Sequence, residues 1–479
     1  MTSPFDALPE PKKPGMPRRL PYAVAATWVL AVLPVQAHVK WFSEFDFNDR
    51  PLTLGEAVTP TFIALAGLSM ATIALFVYLD RHLASTVWYL RVSEWLEARR
   101  GQSVLVMRIG LGATLLLSWQ AGTLFVPEGT VSESVGWFQF LVAFLLLFDT
   151  AVPLAGIGVM VLFVLGLSLY GAFHMLDYTF FIGVGYYLAV SRSTTPALRG
   201  SGVPALYTTL GFSLCWAALE KIVYPQWSSY LLDVHPQLTL GFEPSFFLIG
   251  ATFVEMSLGY LLIICLLQRP LALLITLVFF LTTMVFGKTE VIGHTIIHAA
   301  LLVFLLEGPG ERYGAPISFL ERIHLRTTFA AVSFAFLLAV LMVPYVYITQ
   351  RTYLANQSAA GTVASGEPRV FFLEPRDGAI VSSPVTFRFG AENFRIEAVA
   401  HRQGRDGAGH YQLGVDAECL PPGVIVPDGQ PWIHFPDATS EIVVQLEPGP
   451  HRFCRQPGDS EHRTLPGDGL AAAIRIAVR

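Results

Sequence analysis

Glu290, His294 and His298 recur at every fourth residue within an otherwise apolar stretch, KTEVIGHTIIHAALL. That spacing puts all three on one face of a helix, one turn apart. Two imidazoles so arranged can share a metal ion, and a carboxylate one turn earlier can ligate or orient it. The same stripe can relay protons, since imidazole titrates near neutral pH, or hydrogen-bond a quinone head group. Glu220, Lys221, Glu255 and Lys288 fall within or at the ends of neighbouring apolar runs, and Arg108, Asp149, His174 and Asp177 form a thinner set earlier in the chain. An ionised side chain at mid-bilayer costs at least about 2.5–3.5 kcal/mol, so each needs a partner or a task. The alternative to chemistry is neutralising pairs that hold helices together, with His174 and Asp177, three residues apart, pairing with each other.

A second group of histidines lies in the polar C-terminal region: His401, His410, His434, His451 and His462. Imidazoles from separate strands can converge on copper or zinc, and His410, Asp416, His434 and His451 are the candidate ligands there. Each histidine can equally donate to a backbone carbonyl. Cys419 and Cys454 share this region, where a disulfide is expected if it lies outside the cytoplasm. Cys215 and Cys265 sit in apolar runs and read as buried thiols. At the other end of the chain, Val35-Gln36-Ala37 follows a basic segment and a short apolar run. Residues 1–37 are therefore either a signal peptide or a first transmembrane helix. Cleavage after Ala37 would make His38 the N-terminus, and its amine and imidazole would form a bidentate nitrogen chelate suited to copper. No nucleophile elbow, phosphate-binding glycine loop, CxxCH haem site or CxxC pair occurs, so no nucleotide or haem is implied.

The elements that carry these residues are mostly membrane spans. The chain is 53% hydrophobic and only 14% charged, against about 25% charged in soluble domains. Apolar runs predict about 11 spans, near 21–37, 57–79, 103–126, 136–152, 153–171, 174–190, 204–223, 245–267, 271–287, 290–306 and 327–349, or 10 if the first is cleaved. Lys12, Lys13, Arg18, Arg19, Arg81, Arg91, Arg99, Arg100, Arg192, Arg199, Arg269, Arg312, Arg322 and Arg326 fall on one side when these spans alternate, and that side is the cytoplasm. The expected location is the bacterial inner membrane, with the uncleaved N-terminus cytoplasmic and everything after Gln350 periplasmic. The loop 38–56, rich in aromatic and acidic residues, either covers a cavity, packs on the C-terminal domain or forms an interfacial belt. Net charge of −5 gives no basic patch for nucleic acid.

Residues 103–190 and 204–306 look like two copies of a four-helix unit. Both open with Leu-Gly, a Trp and a later proline, carry a carboxylate in the second helix (Asp149, Glu255), and open the fourth with another (Asp177, Glu290). Functional sites often lie between such repeats. Met107-Arg108-Ile109-Gly110-Leu111-Gly112, with Leu210-Gly211 and Glu220-Lys221 in the second copy, resembles the DoxX-like membrane family. The first copy lacks the lysine, and Thr208 and Thr209 stand where the second copy would carry a basic residue. The resemblance implies a four-helix fold and, for some members, a link to sulfur-compound oxidation that delivers electrons to quinone.

The remainder of the chain divides into 38–102 (loop, second span and cytoplasmic segment), a last span at 327–349, a linker at 350–369 and a β-domain at 370–479. Arg369–Leu373, Val385–Gly390, Glu441–Leu446 and Ala472–Val478 are short, rich in β-branched or aromatic residues and separated by Gly and Pro turns, which predicts a β-sandwich. The ordered motifs FLEPRDGAIV, Gly409-His410-Tyr411-Gln412-Leu413-Gly414-Val415-Asp416, Ile433-His434-Phe435 and Pro448-Gly449-Pro450-His451 resemble a small periplasmic domain family of unknown function. That family has more than one histidine in the central motif, where this chain keeps only His410.

Three functions follow as expectations. The first is a membrane protein handling a transition metal, copper foremost, at the periplasmic face. The second is a DoxX-like subunit of a quinone-linked oxidoreductase. The third is a non-catalytic assembly partner. The implied partners are the lipid bilayer, a metal ion or quinone, and a periplasmic or membrane redox protein.

Overall fold

The computed structural model describes residues 39–43, 45, 49–127, 129–310, 316–363, 367–396, 408–435, 439–459 and 461–479. Residues 1–37, His38 and His401 lie outside these, and with them the signal-peptide and N-terminal chelate expectations. The chain forms two compact units that divide at Gln350 and Arg351.

The first unit is helical. Its main helices are α1 (Pro60–Ala84), α2 (Val87–Glu97), α3 (Ser103–Ala121), α4 (Glu133–Leu145), α5 (Val152–Tyr170), α6 (Phe180–Val190), α7 (Gly202–Val223), α8 (Pro225–Val234), α9 (Pro244–Ile263), α10 (Gln268–Phe286), α11 (Lys288–Glu307) and α12 (Ile323–Val363). Eight helices among the described residues are long and apolar enough to cross a membrane, so this is a multi-pass membrane protein. Two of the expected spans, 136–152 and 174–190, contain only the shorter apolar helices α4 and α6. In the first case the chain turns at Asp149–Ala151, and Pro153 sits in the first turn of α5, where its missing N–H costs nothing. In the second, a short turn at Ala172–Met175 and another at Leu176–Tyr178 precede α6.

Neighbours in sequence pack on each other from α3 through α7, then α9 to α11, and α11 closes the circuit on α3. Small residues let the backbones approach: a Cβ on Gly185 would lie 2.7 Å from the Gly156 carbonyl across α5–α6, and one on Gly259 2.6 Å from the Gly211 carbonyl across α7–α9. Close backbone packing of this kind replaces the hydrophobic drive that lipid removes. The Tyr260 hydroxyl on α9 reaches the Ala330 carbonyl of α12 at 2.7 Å, and Tyr345 of α12 packs on Phe173 and Trp216.

The second unit is a β-sandwich. One sheet has the order β1 (Arg369–Glu374), β3 (Val385–Glu392), β7 (Glu441–Val444). The other runs β2 (Ile380–Val381), β9 (Ala472–Val478), β8 (Gly449–Gly458), β5 (Ala408–Val415), β4 (Arg395–Ile396), with β6 (Trp432–His434) also paired to β5. Val370, Phe387 and Phe389 from the first sheet meet Leu413, Phe453, Ile474 and Ile476 from the second in one core. A disulfide joins Cys419 to Cys454 and so ties the segment after β5 to β8.

Candidate metal centre and membrane polar site

His410 stands near the start of β5 and His434 at the end of β6, which pairs with β5 so that Gln412 faces His434 across the ladder. His462 comes from the turn after β8. That turn is built by Asp459, whose carboxylate accepts the backbone N–H groups of Glu461 and Arg463 at 2.9 Å each, and it holds His462 at φ +60°. A side chain in that backbone region costs free energy, and such strain collects at functional sites. The outcome is convergence: one ligand-type nitrogen from each of His410, His434 and His462 lies within 4.8 Å of the others. Among the described residues no other group of three or more metal-ligating side chains converges in this way.

A backbone carbonyl sets the tautomer of one ring. His434 Nε2 lies 3.0 Å from the Pro427 carbonyl, so it carries the proton and Nδ1 presents a lone pair to the cluster. His410 Nε2 and His462 Nδ1 approach to 2.9 Å. Burial, aided by the rings of His462 and His434, pushes His410 down to about 4, and burial and His434 lower His462 as well. Both rings are thus neutral at pH 7, which is the ligating form. The carboxylates of Asp428 and Asp459 act in the opposite sense on His462 and supply negative charge nearby.

Two of the residues expected as ligands are elsewhere. Asp416 follows the far end of β5, six residues and so about 20 Å along the strand from His410. It pairs with His451: Nδ1 lies 2.9 Å from the Asp416 carboxylate and Nε2 2.8 Å from the Glu447 carbonyl. With an acceptor on each nitrogen, and the Glu447 carbonyl contributing most, His451 is raised above the usual histidine value. Both of its nitrogens are thus engaged by Asp416 and Glu447 and not by the cluster. His462, which carries the third nitrogen, sits outside the central motifs. Its only sequence signal is the Asp459-x-x-His462 turn beside β8.

In the membrane unit the polar residues also sort into pairs. Lys40, from the turn Val39–Trp41, is buried with its ammonium 2.7 Å from Asp177 and 2.8 Å from Glu220. Lys221 holds Glu255 at 2.6 Å. Glu290 and His294 are in contact, both buried, and His294 is stacked on Phe279 at 4.1 Å and faces Trp41 at 5.0 Å. Trp41 donates to the Tyr178 hydroxyl at 3.1 Å and lies against Gly293, where no larger residue fits. Trp41, Asp177, Tyr178, Ser213, Glu255 and His294 line one cavity of about 30 Å³.

Other expected members are displaced from this site. His298 lies against Phe280 rather than sharing a ligand position with His294. Lys288 is exposed at the first position of α11. Asp149 is exposed at the α4–α5 junction, where it meets Arg108 at 3.0 Å and Arg192. Asp177 takes Lys40 as its partner, while the His174 ring lies among Phe45, Tyr170 and Tyr178. Lys40 belongs to the loop for which covering a cavity was one expectation, and its neighbour Trp41 lines that cavity.

Residues 387–479 match the family model described as Domain of unknown function (DUF4399). That covers most of the β-sandwich, from β3 onward, and includes all three converging histidines. No curated protein and no solved structure matches the chain.

Proposed function

We propose that this chain is an integral inner-membrane protein that handles a transition metal, with copper foremost, and that His410, His434 and His462 of a periplasmic β-domain form the metal-binding centre. The observation that carries the reading is the convergence of three imidazole nitrogens from three separate segments. Three imidazole nitrogens at such range match the donor sets of copper and zinc sites. The membrane orientation rests on the one-sided distribution of arginine and lysine among the loops.

The test is metal content of the full chain, purified in detergent, together with its intact mass. About one equivalent of copper or zinc in the parent, lost in His410→Ala and in His462→Ala with the β-domain still folded, supports the centre. An unchanged stoichiometry in both variants sinks it. The mass reports whether the chain begins at Met1 or at His38. A start at His38 would add a second nitrogen chelate, which His38→Ala would then remove.

A second reading concerns the membrane unit and rests on the aromatic cavity beside Glu255 and His294. Stacked rings next to proton-accepting groups suit quinone and proton chemistry, as the DoxX-like resemblance implies. At about 30 Å³ the cavity accommodates water, so a quinone head group requires Trp41 to move aside. Loss of quinone reduction in His294→Ala, with metal content intact, favours this reading. No change in either property leaves a non-catalytic assembly partner.

A further inference from the structure

The β-domain is short of sulfur in a way that bears on which ion it takes. All nine methionines of the chain precede residue 351, and the two cysteines beyond that point, Cys419 and Cys454, are consumed in one disulfide. No thiolate or thioether of this domain is therefore available to a metal. Soft sulfur ligands select Cu+, whereas imidazole nitrogen and amide oxygen suit the divalent ions. Among divalent first-row ions, copper binds such sites more tightly than zinc.

A fourth polar group completes the arrangement. Gln412 lies two residues after His410, on the same face of β5, and is fully buried. Its amide nitrogen lies 3.3 Å from His410 Nε2, 3.5 Å from His434 Nδ1 and 3.3 Å from the His462 carbonyl oxygen. Its amide oxygen is buried and has no hydrogen-bond partner. A buried acceptor without a donor costs about 1–3 kcal/mol, so its retention calls for an explanation. Gly458 makes room for this side chain, since a Cβ there would clash with the amide. The head group is thus confined among three rings with one electronegative atom unused. Rotation of the amide by half a turn exchanges oxygen and nitrogen at nearly the same positions; it would direct the oxygen at the point the rings surround and give up the bond that the amide nitrogen donates to the His462 carbonyl.

Resting on the metal-centre reading above, we infer that the His410/His434/His462 centre takes copper as Cu2+ in preference to Cu+, with the Gln412 amide oxygen as its fourth donor. The experiment titrates the full chain in detergent with Cu2+, and separately with ascorbate-reduced copper, each against a chelator of known affinity. Electron paramagnetic resonance of the Cu2+ form reports nitrogen coupling. Expected is one Cu2+ per chain with nitrogen donors, held more tightly than Cu+. Cu+ bound more tightly than Cu2+ overturns the inference while leaving the metal centre standing. Failure to bind either ion, or zinc, removes the centre and the inference together. Two variants isolate Gln412. Gln412→Ala should weaken Cu2+ by about 10-fold, at the low end of what lost supporting groups cost metal sites. Gln412→Glu, which keeps the oxygen and adds charge, should tighten it. Weakening in both would show that Gln412 only packs and would overturn its assignment as a donor.

Discussion

His410 and His462 are separated by 52 positions in sequence, yet His410 Nε2 lies 2.9 Å from His462 Nδ1. Two imidazoles this close cannot both hold a proton on the facing nitrogens. At most one proton sits between the two rings, and burial disfavours the charged form of His410, which has a measurable consequence for the stability of the β-domain in the absence of metal.

His410 has its folded-state value lowered to about 4, chiefly by burial, from an unfolded value of about 6.5. The unfolded chain binds the extra proton first. Stability from this group is complete above about pH 6.5 and falls as pH drops toward 4. His451 works in the opposite sense, because its folded-state value is raised by Glu447 and Asp416. Its contribution is present below about pH 6.5 and is lost as pH rises through its folded value. Hydrogen exchange of β-domain amides in chelator-treated protein should show His410→Ala flattening the acid-side loss and His451→Ala removing an acid-side gain. The same pH profile in both variants would contradict this assignment.

Lys40→Met removes a cation that contacts both Asp177 and Glu220. Breaking a buried ion pair from one side costs about 3–5 kcal/mol, because the remaining charge stays buried. The variant should unfold at a markedly lower temperature in detergent. The triple variant that adds Asp177→Asn and Glu220→Gln should recover most of the loss, and failure to recover would mean that Lys40 acts through something other than charge.

Alanine substitutions of two buried glycines on one helix discriminate a close backbone crossing from a spacious neighbourhood. Gly259→Ala places a methyl group 2.6 Å from the Gly211 carbonyl, whereas Gly250, on the same helix, has open space around its Cα. Gly259→Ala should lower the yield of folded protein, and Gly250→Ala should leave it unchanged or slightly improved. Equal behaviour of the two in a thermal-shift assay in detergent would count against the close α7–α9 crossing.

Arg455 is fully buried on β8, donates to the Phe371 and Gly390 carbonyls at 2.5 and 2.9 Å, and lies over the Tyr411 ring at 3.6 Å. Burial lowers it to about 10, which still leaves it charged at neutral pH. Lysine cannot reproduce both carbonyl bonds and the flat stacking face. Arg455→Lys should destabilise the β-domain by about 1–3 kcal/mol, read as faster amide exchange in β1 and β3. No change there would show the guanidinium to be dispensable.

Much of the fold was legible because hydropathy and alternation report directly on burial. The runs at 245–267 and 290–306 became α9 and α11 within a few residues, and Ala472–Val478 is β9 as read. The strands around the candidate metal centre were harder. β5 contains Gly409 and Gly414, and β8 contains Pro450 and Pro457, so both fail a β-propensity test. They form strands because they lie in the middle of the sheet, where pairing and burial override propensity. His462 is counted among the histidines of the domain but left out of the expected ligands, because it joins the site through a turn held by Asp459, a contact with no periodic signature. The span expected at 174–190 broke at Leu176–Tyr178, where Asp177 meets Lys40 from a distant loop. Long-range charge pairing of this kind leaves no mark in a local window.

The sulfur content of the β-domain has one more consequence. With no methionine and with both cysteines already oxidised, the domain offers nothing to the first steps of thiol or thioether oxidation. Peroxide or hypochlorite would have to attack histidine or aromatic rings instead, which is slower chemistry. Silver and mercury ions likewise find no free thiol to capture. Peroxide generated at the proposed copper centre would therefore meet imidazole and aromatic rings and no reduced sulfur.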